Sequence, residues 1–386
     1  MMHSHPRHKI EYTLRREVNE LYATVTLKHI AFSMITIFEP IYLYIYFHER
    51  ILPVLFYFGL IFLGFALIVP FAGKMLSRMG IKHSILISVF FAIIYFLGLN
   101  SLGTNHWMLY VLPLVSIFYK FYFWPAFHLD FARFSQRDRR ARQVSIVNMI
   151  SLATGILGPL AGGLVIAFWG YHALFIIVVL LLFTSIIPLF LSQEVYAPFD
   201  FSLKRFFQFI ATPSLRRTEI ALAAWGNEEL ISTLVWPIFM YLLIFDTSVI
   251  GGITSAATVV AFLSAYWIGR LADKVGKKKI LRIGASLLSL AWVVKSIVRL
   301  PLHIGFADGF YKLSQEGAYI SFASVIYDQA SKDESQTVSV VLMREIILNF
   351  AKFAGVLVIG ALVTLTGSLI PAFIDAAVSS LFFMFL

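Results

Sequence analysis

Positions 269–279 read G-R-L-A-D-K-V-G-K-K-K, and a weaker copy, G-K-M-L-S-R-M-G-I-K, stands at 73–82, 196 residues earlier. A second pair recurs at nearly the same separation: V-S-I-V-N-M at 144–149 and V-S-V-V-L-M at 338–343, 194 residues apart. Two independent matches at one offset mark the duplication of a large unit. Each copy of the first pair closes an apolar run with a glycine-bounded cluster of cations. The chain is therefore read outward from these clusters as a series of apolar segments.

The composition supports that reading. Of 386 residues, 59% are apolar and only 13% charged, about half the roughly 25% of a soluble domain. Mean hydropathy is +0.83. So few charges cannot cover a soluble protein of this length, and the 38 Phe with no low-complexity tract exclude collagen, coiled coil and disorder. With no cysteine, disulfides, thiolate metal sites and thiol nucleophiles are absent. A spanning helix needs roughly 20 apolar residues, and twelve such runs are found, at about 24–46, 52–73, 84–102, 107–128, 144–167, 171–191, 218–245, 249–269, 280–299, 302–327, 337–364 and 367–386. The reading is an all-α polytopic membrane protein. It has a polar tail at 1–22 that is no signal peptide, a six-helix half at 23–191, a linker at 192–217 and a second half at 218–386. Within the linker, FDFSLKRFFQFI at 199–210 mixes aromatics with cations and reads as a helix lying in the membrane interface.

The net charge of +10 first suggests nucleic acid, but the positions of the cations redirect it. With the N-terminus inside, 23 of 31 Lys and Arg fall in cytoplasmic segments and two, Arg50 and Arg299, in outer loops. This is the positive-inside pattern, and it puts both termini in the cytoplasm of an inner or plasma membrane protein. No nucleic-acid partner is expected. Six helices per half is an even number, so both halves run in one orientation, a plan used by transporters with the substrate site between the halves.

The 269–279 segment resembles motif A of the major facilitator superfamily, the connection after spans 2 and 8. The first copy departs from it, with Ser77 where the pattern has Asp. The resemblance implies the twelve-helix superfamily fold, secondary active transport by alternating access, and a conformational latch at Gly269, Asp273, Gly276, Lys277 and Lys278. Gly269 would let two helices approach, Asp273 would accept hydrogen bonds at a helix N-terminus, and the lysines would meet the anionic inner leaflet. A plainer reading leaves the lysines as topology anchors. In span 5, Gly158, Pro159, Gly162 and Gly163 complete a G-P-x-x-G-G stretch similar to the end of the family's motif C, associated with antiporters. In physical terms these are small residues for close packing and a proline for a bend.

Charge inside the spans is the remaining signal, because each such group is tolerated against a cost of at least about 2.5 kcal/mol at mid-bilayer. The candidates for ion coupling or the substrate pathway are Glu39, Lys120, Glu228, Glu229, Asp308, Lys312, Glu316, Arg344, Glu345 and Lys352. Lys295 and Asp375 read as snorkelling or interfacial. Asp308, Lys312 and Glu316 recur every four residues and form one stripe. Trp225, Glu228, Glu229, Ser232 and Trp236 read as one face of span 7. The resemblance implies that spans 1, 4, 7 and 10 line the central cavity. Glu228, Glu229, Glu316 and Glu345 are the candidate proton carriers, because a carboxyl group out of water can hold its proton as a neutral group. Lys120, Lys312 and Arg344 would hold an anionic or polar substrate group, or serve as counter-ions. The plainer reading is a set of fixed ion pairs that lock the bundle. The aromatic run Phe118–Trp124 reads as packing bulk more than as a stacking platform for substrate.

The expectation is a monomeric, proton-coupled carrier of a small-molecule substrate, in contact with membrane lipid, without cofactor or metal and not an enzyme. Multidrug export is the alternative, suggested by the G-P-x-x-G-G stretch. A membrane-embedded acyltransferase, suggested by His303 and Asp308, is a weaker competitor. No P-loop is present to drive transport by ATP, and the doubled plan with latch segments speaks against a channel.

Overall fold

The computed structural model describes residues 24, 26–134, 140–191, 201–330 and 334–386. Eight helices among them are long and apolar enough to cross a membrane, and the break of one stretch at Gly170 together with the helices of spans 9, 10 and 12 brings the set to twelve. Span 1 is Thr26–Tyr46, span 2 Ile51–Met79, span 3 Ile81–Ser101 and span 4 Met108–Phe134. Spans 5 and 6 form one continuous stretch, Arg140–Leu191, broken at Gly170. Span 7 is Pro213–Ile244, span 8 Thr247–Val275, span 9 Lys277–Ser296, span 10 Pro301–Ala330, span 11 Glu334–Thr366 and span 12 Ile370–Phe385. Spans 9, 10 and 12 are the least apolar or shortest of the set. Span 9 carries Lys277–Lys279, Arg282 and Lys295, and span 10 carries Asp308, Lys312 and Glu316. These helices rely on burying polar groups against neighbours, because lipid cannot solvate them.

The turns between several spans shrink to one residue. Gly80, Gly170 and Gly276 have φ of 79°, 78° and 102°, a region open to glycine without a side-chain clash. Gly80 and Gly276 are the equivalent glycines of the two motif A copies. The motif A connection is therefore almost entirely helix. Residues 269–275 are helical, and only Gly276 leaves the helix before span 9 begins. The helix runs on past its apolar part because Arg270 and Lys274 can be solvated at the membrane surface.

The linker contains the helix Leu203–Ile210. Phe206 is buried while Lys204, Arg205 and Phe207 are exposed, and Phe201 packs against Gly73 near the end of span 2.

Packing repeats between the halves: span 3 lies on span 4, and span 9 on span 10. The halves meet along two seams, span 2 against span 11 and span 5 against span 8. The second seam is built from the G-P-x-x-G-G stretch. Gly158 sits against Ser33 of span 1, Gly162 against the Met34 carbonyl, Gly163 against the Thr247 carbonyl, and Gly251 of span 8 against the Pro159 carbonyl. The Leu160 amide donates to Ser255 Oγ at 3.0 Å, and Thr247 Oγ1 donates to the Gly163 carbonyl at 3.2 Å. Small residues let the backbones approach closely enough for these bonds to form.

Candidate functional site

Span 7 carries the local irregularity that shapes the site. Pro237 has no N–H to give to the turn before it, and residues Ile231–Val235 widen into a π-helical turn. Thr233 Oγ1 donates to the Glu229 carbonyl at 2.6 Å, and Ser232 Oγ donates to it at 3.1 Å. The wide turn lies between the two glutamates and Trp236, and Glu228 and Glu229, successive residues of the α-helix before it, point about 100° apart. Glu229 borders a cavity, whereas Glu228 points away from it into the C-terminal half.

The cavity has a volume of about 520 Å³ and is lined from both halves. Its N-half wall includes His29, Phe32, Ser33 and Thr36 of span 1 and Trp124, Phe127 and His128 of span 4. Its C-half wall includes Trp225, Glu229 and Trp236 of span 7, the Asp308–Lys312–Glu316 stripe of span 10 with Gln315 and Tyr319, and Arg344 of span 11. Five sequence candidates thus line one space: Glu229, Asp308, Lys312, Glu316 and Arg344. Gly155 and Pro159 of span 5 also reach it.

Behind the C-half wall lies a buried polar network. Lys295 is fully buried, with Nζ donating to Asp308 Oδ1 at 2.9 Å. The same oxygen accepts from Trp236 Nε1 at 3.0 Å. The ammonium also faces the rings of Tyr311, Trp236 and Trp292, 3.6, 3.9 and 4.8 Å from their centroids, an arrangement that favours a desolvated cation. This corrects the reading of Lys295 as snorkelling. Gly284 lies against the backbone of Gly317 and Ala318, so spans 9 and 10 cross closely and carry Lys295 inward. Glu228, also fully buried, accepts on Oε1 from Tyr311 Oη at 2.8 Å and from Trp292 Nε1 at 3.0 Å. Its other oxygen, Oε2, makes no hydrogen bond. Asp375 accepts from Asn227 Nδ2 at 2.9 Å.

The N-terminal half repeats the theme. Glu39 Oε1 accepts from Tyr95 Oη at 2.6 Å, and Tyr95 in turn accepts from Tyr57 Oη at 3.1 Å. The two donor rings, Tyr95 on span 3 and Trp292 on span 9, are 197 residues apart, close to the repeat offset. Their acceptors, Glu39 and Glu228, are 189 apart and so lie about two helical turns out of register.

A third group of charges bridges the halves. Arg344 pairs with Glu345 beside it, and Arg344 Nη1 lies 2.8 Å from Nε2 of His128 on span 4. His128 Nε2 is 3.5 Å from Glu345 Oε1 and its ring stacks on Trp124. Lys352 Nζ is 3.0 Å from Glu229 Oε2. Lys120 lies within Coulombic reach of Lys352, Glu39, Glu229 and Glu345.

His128 and Lys28 escape the sequence reading. A single histidine in an aromatic run gives no periodic signal, and Lys28 stands where the first apolar run begins, a position that reads as a helix end. The aromatic run is also more specific than packing bulk: Tyr119 and Phe123 face Lys28, and Trp124 lines the cavity. His303 is exposed at the start of span 10, whereas Asp308 is buried against Lys295, so the two do not form an acid–base pair. Of the motif A residues, Gly269 is buried in span 8, Gly276 forms the turn, and Lys278 Nζ donates to the Leu386 carbonyl at 2.9 Å. Lys277 stands in the first turn of span 9. The Asp273 side chain, the tail at 1–22 and the linker stretch 192–200 lie outside the described residues.

The family model of the Major Facilitator Superfamily matches residues 21–291. The chain belongs to the Major Facilitator Superfamily. It is an integral membrane protein of the twelve-helix fold, with two pseudo-symmetric six-helix bundles. Among curated relatives, it is 25% identical over 264 residues to the multidrug resistance protein MdtG of Klebsiella pneumoniae, covering 64% of this chain and 62% of that protein. It is 25% identical over 260 residues to MdtG of Escherichia coli, covering 64% and 63%. The match thus spans less than two-thirds of these relatives' length. Among solved structures, the human organic anion transporter MFSD10 (TETRAN) superimposes with a TM-score of 0.71 at 14% identity, over 96% of this chain and 99% of that one. The Escherichia coli fucose:proton symporter FucP superimposes with a TM-score of 0.67 at 13% identity, over 95% and 97%. These likenesses extend the shared fold beyond residue 291, through span 12.

Proposed function

We propose that this superfamily member is a secondary active transporter that carries a small amphipathic solute by alternating access, coupled to a proton, with both termini in the cytoplasm. The observation that carries the reading is the cavity of about 520 Å³ between the halves, walled by carboxylates, cations and aromatic rings from both. A solute there touches both bundles at once, so rocking one against the other changes the side to which it is exposed. Glu229, paired to Lys352, is the cavity carboxylate best set to exchange a proton against a fixed counter-charge. Glu228, with one oxygen unbonded, is a proton-holding group behind the wall. Glu316 and Glu345 remain alternatives on spans 10 and 11. The motif A residues Gly269, Asp273, Gly276, Lys277 and Lys278 act as a latch beside this machinery.

A second reading, multidrug/proton antiport, is favoured by the aromatic lining of Phe32, Trp124, Phe127, Trp225, Trp236 and Tyr319 and by the likeness to MdtG. Both readings are tested by uptake into proteoliposomes across a substrate panel, with and without an imposed pH gradient. Accumulation that follows the gradient supports proton coupling. Flux unchanged by any cation gradient overturns it, and the direction of net movement separates import from export.

A further inference from the structure

Lys28 is a buried cation that the machinery above does not use. It lies in the first turns of span 1 and is 2% exposed. Its Nζ makes no hydrogen bond. It is boxed by rings, 3.0 Å from the centroid of Phe123, 4.7 Å from that of Tyr119 and 5.6 Å from that of Phe32.

Three cations of the C-half differ in kind. Lys295 is bonded to Asp308, Lys352 to Glu229 and Arg344 to Glu345, so each of these cations is neutralised within the chain. Aromatic faces attract an ammonium but accept none of its hydrogen bonds in the plane of a lone pair, so three N–H donors are left to an outside acceptor. Of the three rings, Phe32 is the one that also borders the cavity, next to His29 and Ser33. Turning that ring aside joins the Lys28 box to the cavity.

We infer that Lys28 is an anion-binding residue, and that the solute carried in this cavity is an organic anion: a carboxylate or similar oxyanion on an aromatic or apolar body. The inference rests on the cavity being the substrate site. The anionic head displaces the Phe32 ring, accepts from Nζ and supplies the hydrogen-bonding counter-charge that Lys28 lacks. The body stays among Trp124, Phe127 and the C-half rings. Cation–π contact keeps the empty state tolerable, and the oxyanion replaces it with charge-assisted hydrogen bonds in a dry site.

The experiment uses the purified full chain in detergent, with three probes of one shape: 1-naphthoate, 1-naphthalenemethanol and 1-naphthylmethylammonium. Calorimetric titration of the unmodified protein is expected to rank the carboxylate about tenfold or more above the alcohol and the ammonium. Lys28→Met should remove that preference while leaving alcohol binding unchanged, and Lys28→Arg should retain it. Thermal unfolding of each variant establishes that it is folded, and Lys28→Arg supplies the test if Lys28→Met is not. A carboxylate that binds no better than the alcohol overturns the inference, as does a preference for the ammonium or a preference that survives Lys28→Met. Trp124→Ala separates the two levels of the argument. If it weakens all three probes while Lys28→Met changes none, the cavity stands as the binding site and the role of Lys28 falls. If Trp124→Ala changes none of them, the cavity reading itself falls.

Discussion

Lys295 Nζ lies 2.9 Å from Asp308 Oδ1, with both side chains essentially out of reach of solvent. Span 9 and span 10 are thereby joined at the wall of the cavity by a buried pair. Removing one member of a buried pair strands the other charge, at a cost of about 3–5 kcal/mol, whereas an apolar pair of similar volume is often tolerated. Lys295→Met and Asp308→Leu should each lower the unfolding midpoint in detergent markedly, and the double variant should regain most of the loss. A double variant no better than the worse single one would show that the two costs are independent.

Glu228 reports on coupling. Glu228→Gln preserves an acceptor for Tyr311 and Trp292 but removes the exchangeable carboxyl proton. Glu229→Gln does the same at the cavity wall and also frees Lys352. If either group carries the coupled proton, its glutamine variant should lose gradient-driven accumulation by tenfold or more yet keep solute exchange across proteoliposomes. Full accumulation in both variants would transfer the role to Glu316 or Glu345, for which the same substitution is the test.

Adjacent glycines in span 8 behave oppositely. A Cβ at Gly251 would strike the Pro159 carbonyl, whereas one at Gly252 meets nothing within 4 Å. Gly251→Ala should open the seam between spans 5 and 8 and lower both stability and transport. Gly252→Ala should be neutral or stabilise by up to about 1 kcal/mol, since alanine is the better helix former. Gly163→Ala, facing the Thr247 carbonyl, should follow Gly251→Ala. Equal effects at 251 and 252 in thermal unfolding would refute the seam as described.

The absence of cysteine provides a background-free test of alternating access. Tyr44 of span 1 and Tyr241 of span 7 have ring centroids 6.5 Å apart, at the end of the cavity away from the His128–Arg344 contact. Tyr44→Cys with Tyr241→Cys should crosslink by a short bifunctional reagent and stop transport, with reductant restoring it when the linker is cleavable. Undiminished transport in the crosslinked protein would show that this end need not open.

Asp246 caps span 8 from outside the membrane. Its carboxylate accepts from the amides of Ser248 and Val249 at 2.8 and 3.2 Å and from the Ser248 hydroxyl. These bonds, the hydroxyl first, hold the group below the ordinary aspartate range. A depressed carboxylate contributes stability that is present above its unfolded value, about 3.9, and is lost as pH falls through the folded one. Asp246→Ala should cost about 1 kcal/mol near neutrality, and the difference from the unmodified protein should shrink below about pH 4. A difference that is constant with pH would remove the charge from this account.

Hydropathy, cation placement and the 196-residue repeat are one-dimensional patterns. They were sufficient for the twelve spans, the duplication and the superfamily, because lipid forces every spanning backbone into a helix and leaves few arrangements open. The same pattern named the charges worth watching, since each had to be tolerated inside the membrane. It could not say which of them meet. Asp308, Lys312 and Glu316 share a face by simple periodicity, but Glu228 and Glu229 serve different spaces, because successive residues of an α-helix point about 100° apart and only the packing of span 7 decides what each side meets. Lys295 is drawn inward by the close crossing at Gly284, and Lys28 is enclosed by rings from span 4. Partnership between groups on different helices depends on crossing angle and register, which are set by packing across the bundle. Hence the class of the protein was legible in its residues alone, while which buried cations meet a carboxylate, as Lys295 does, and which are boxed by rings, as Lys28 is, was decided only by the tertiary structure.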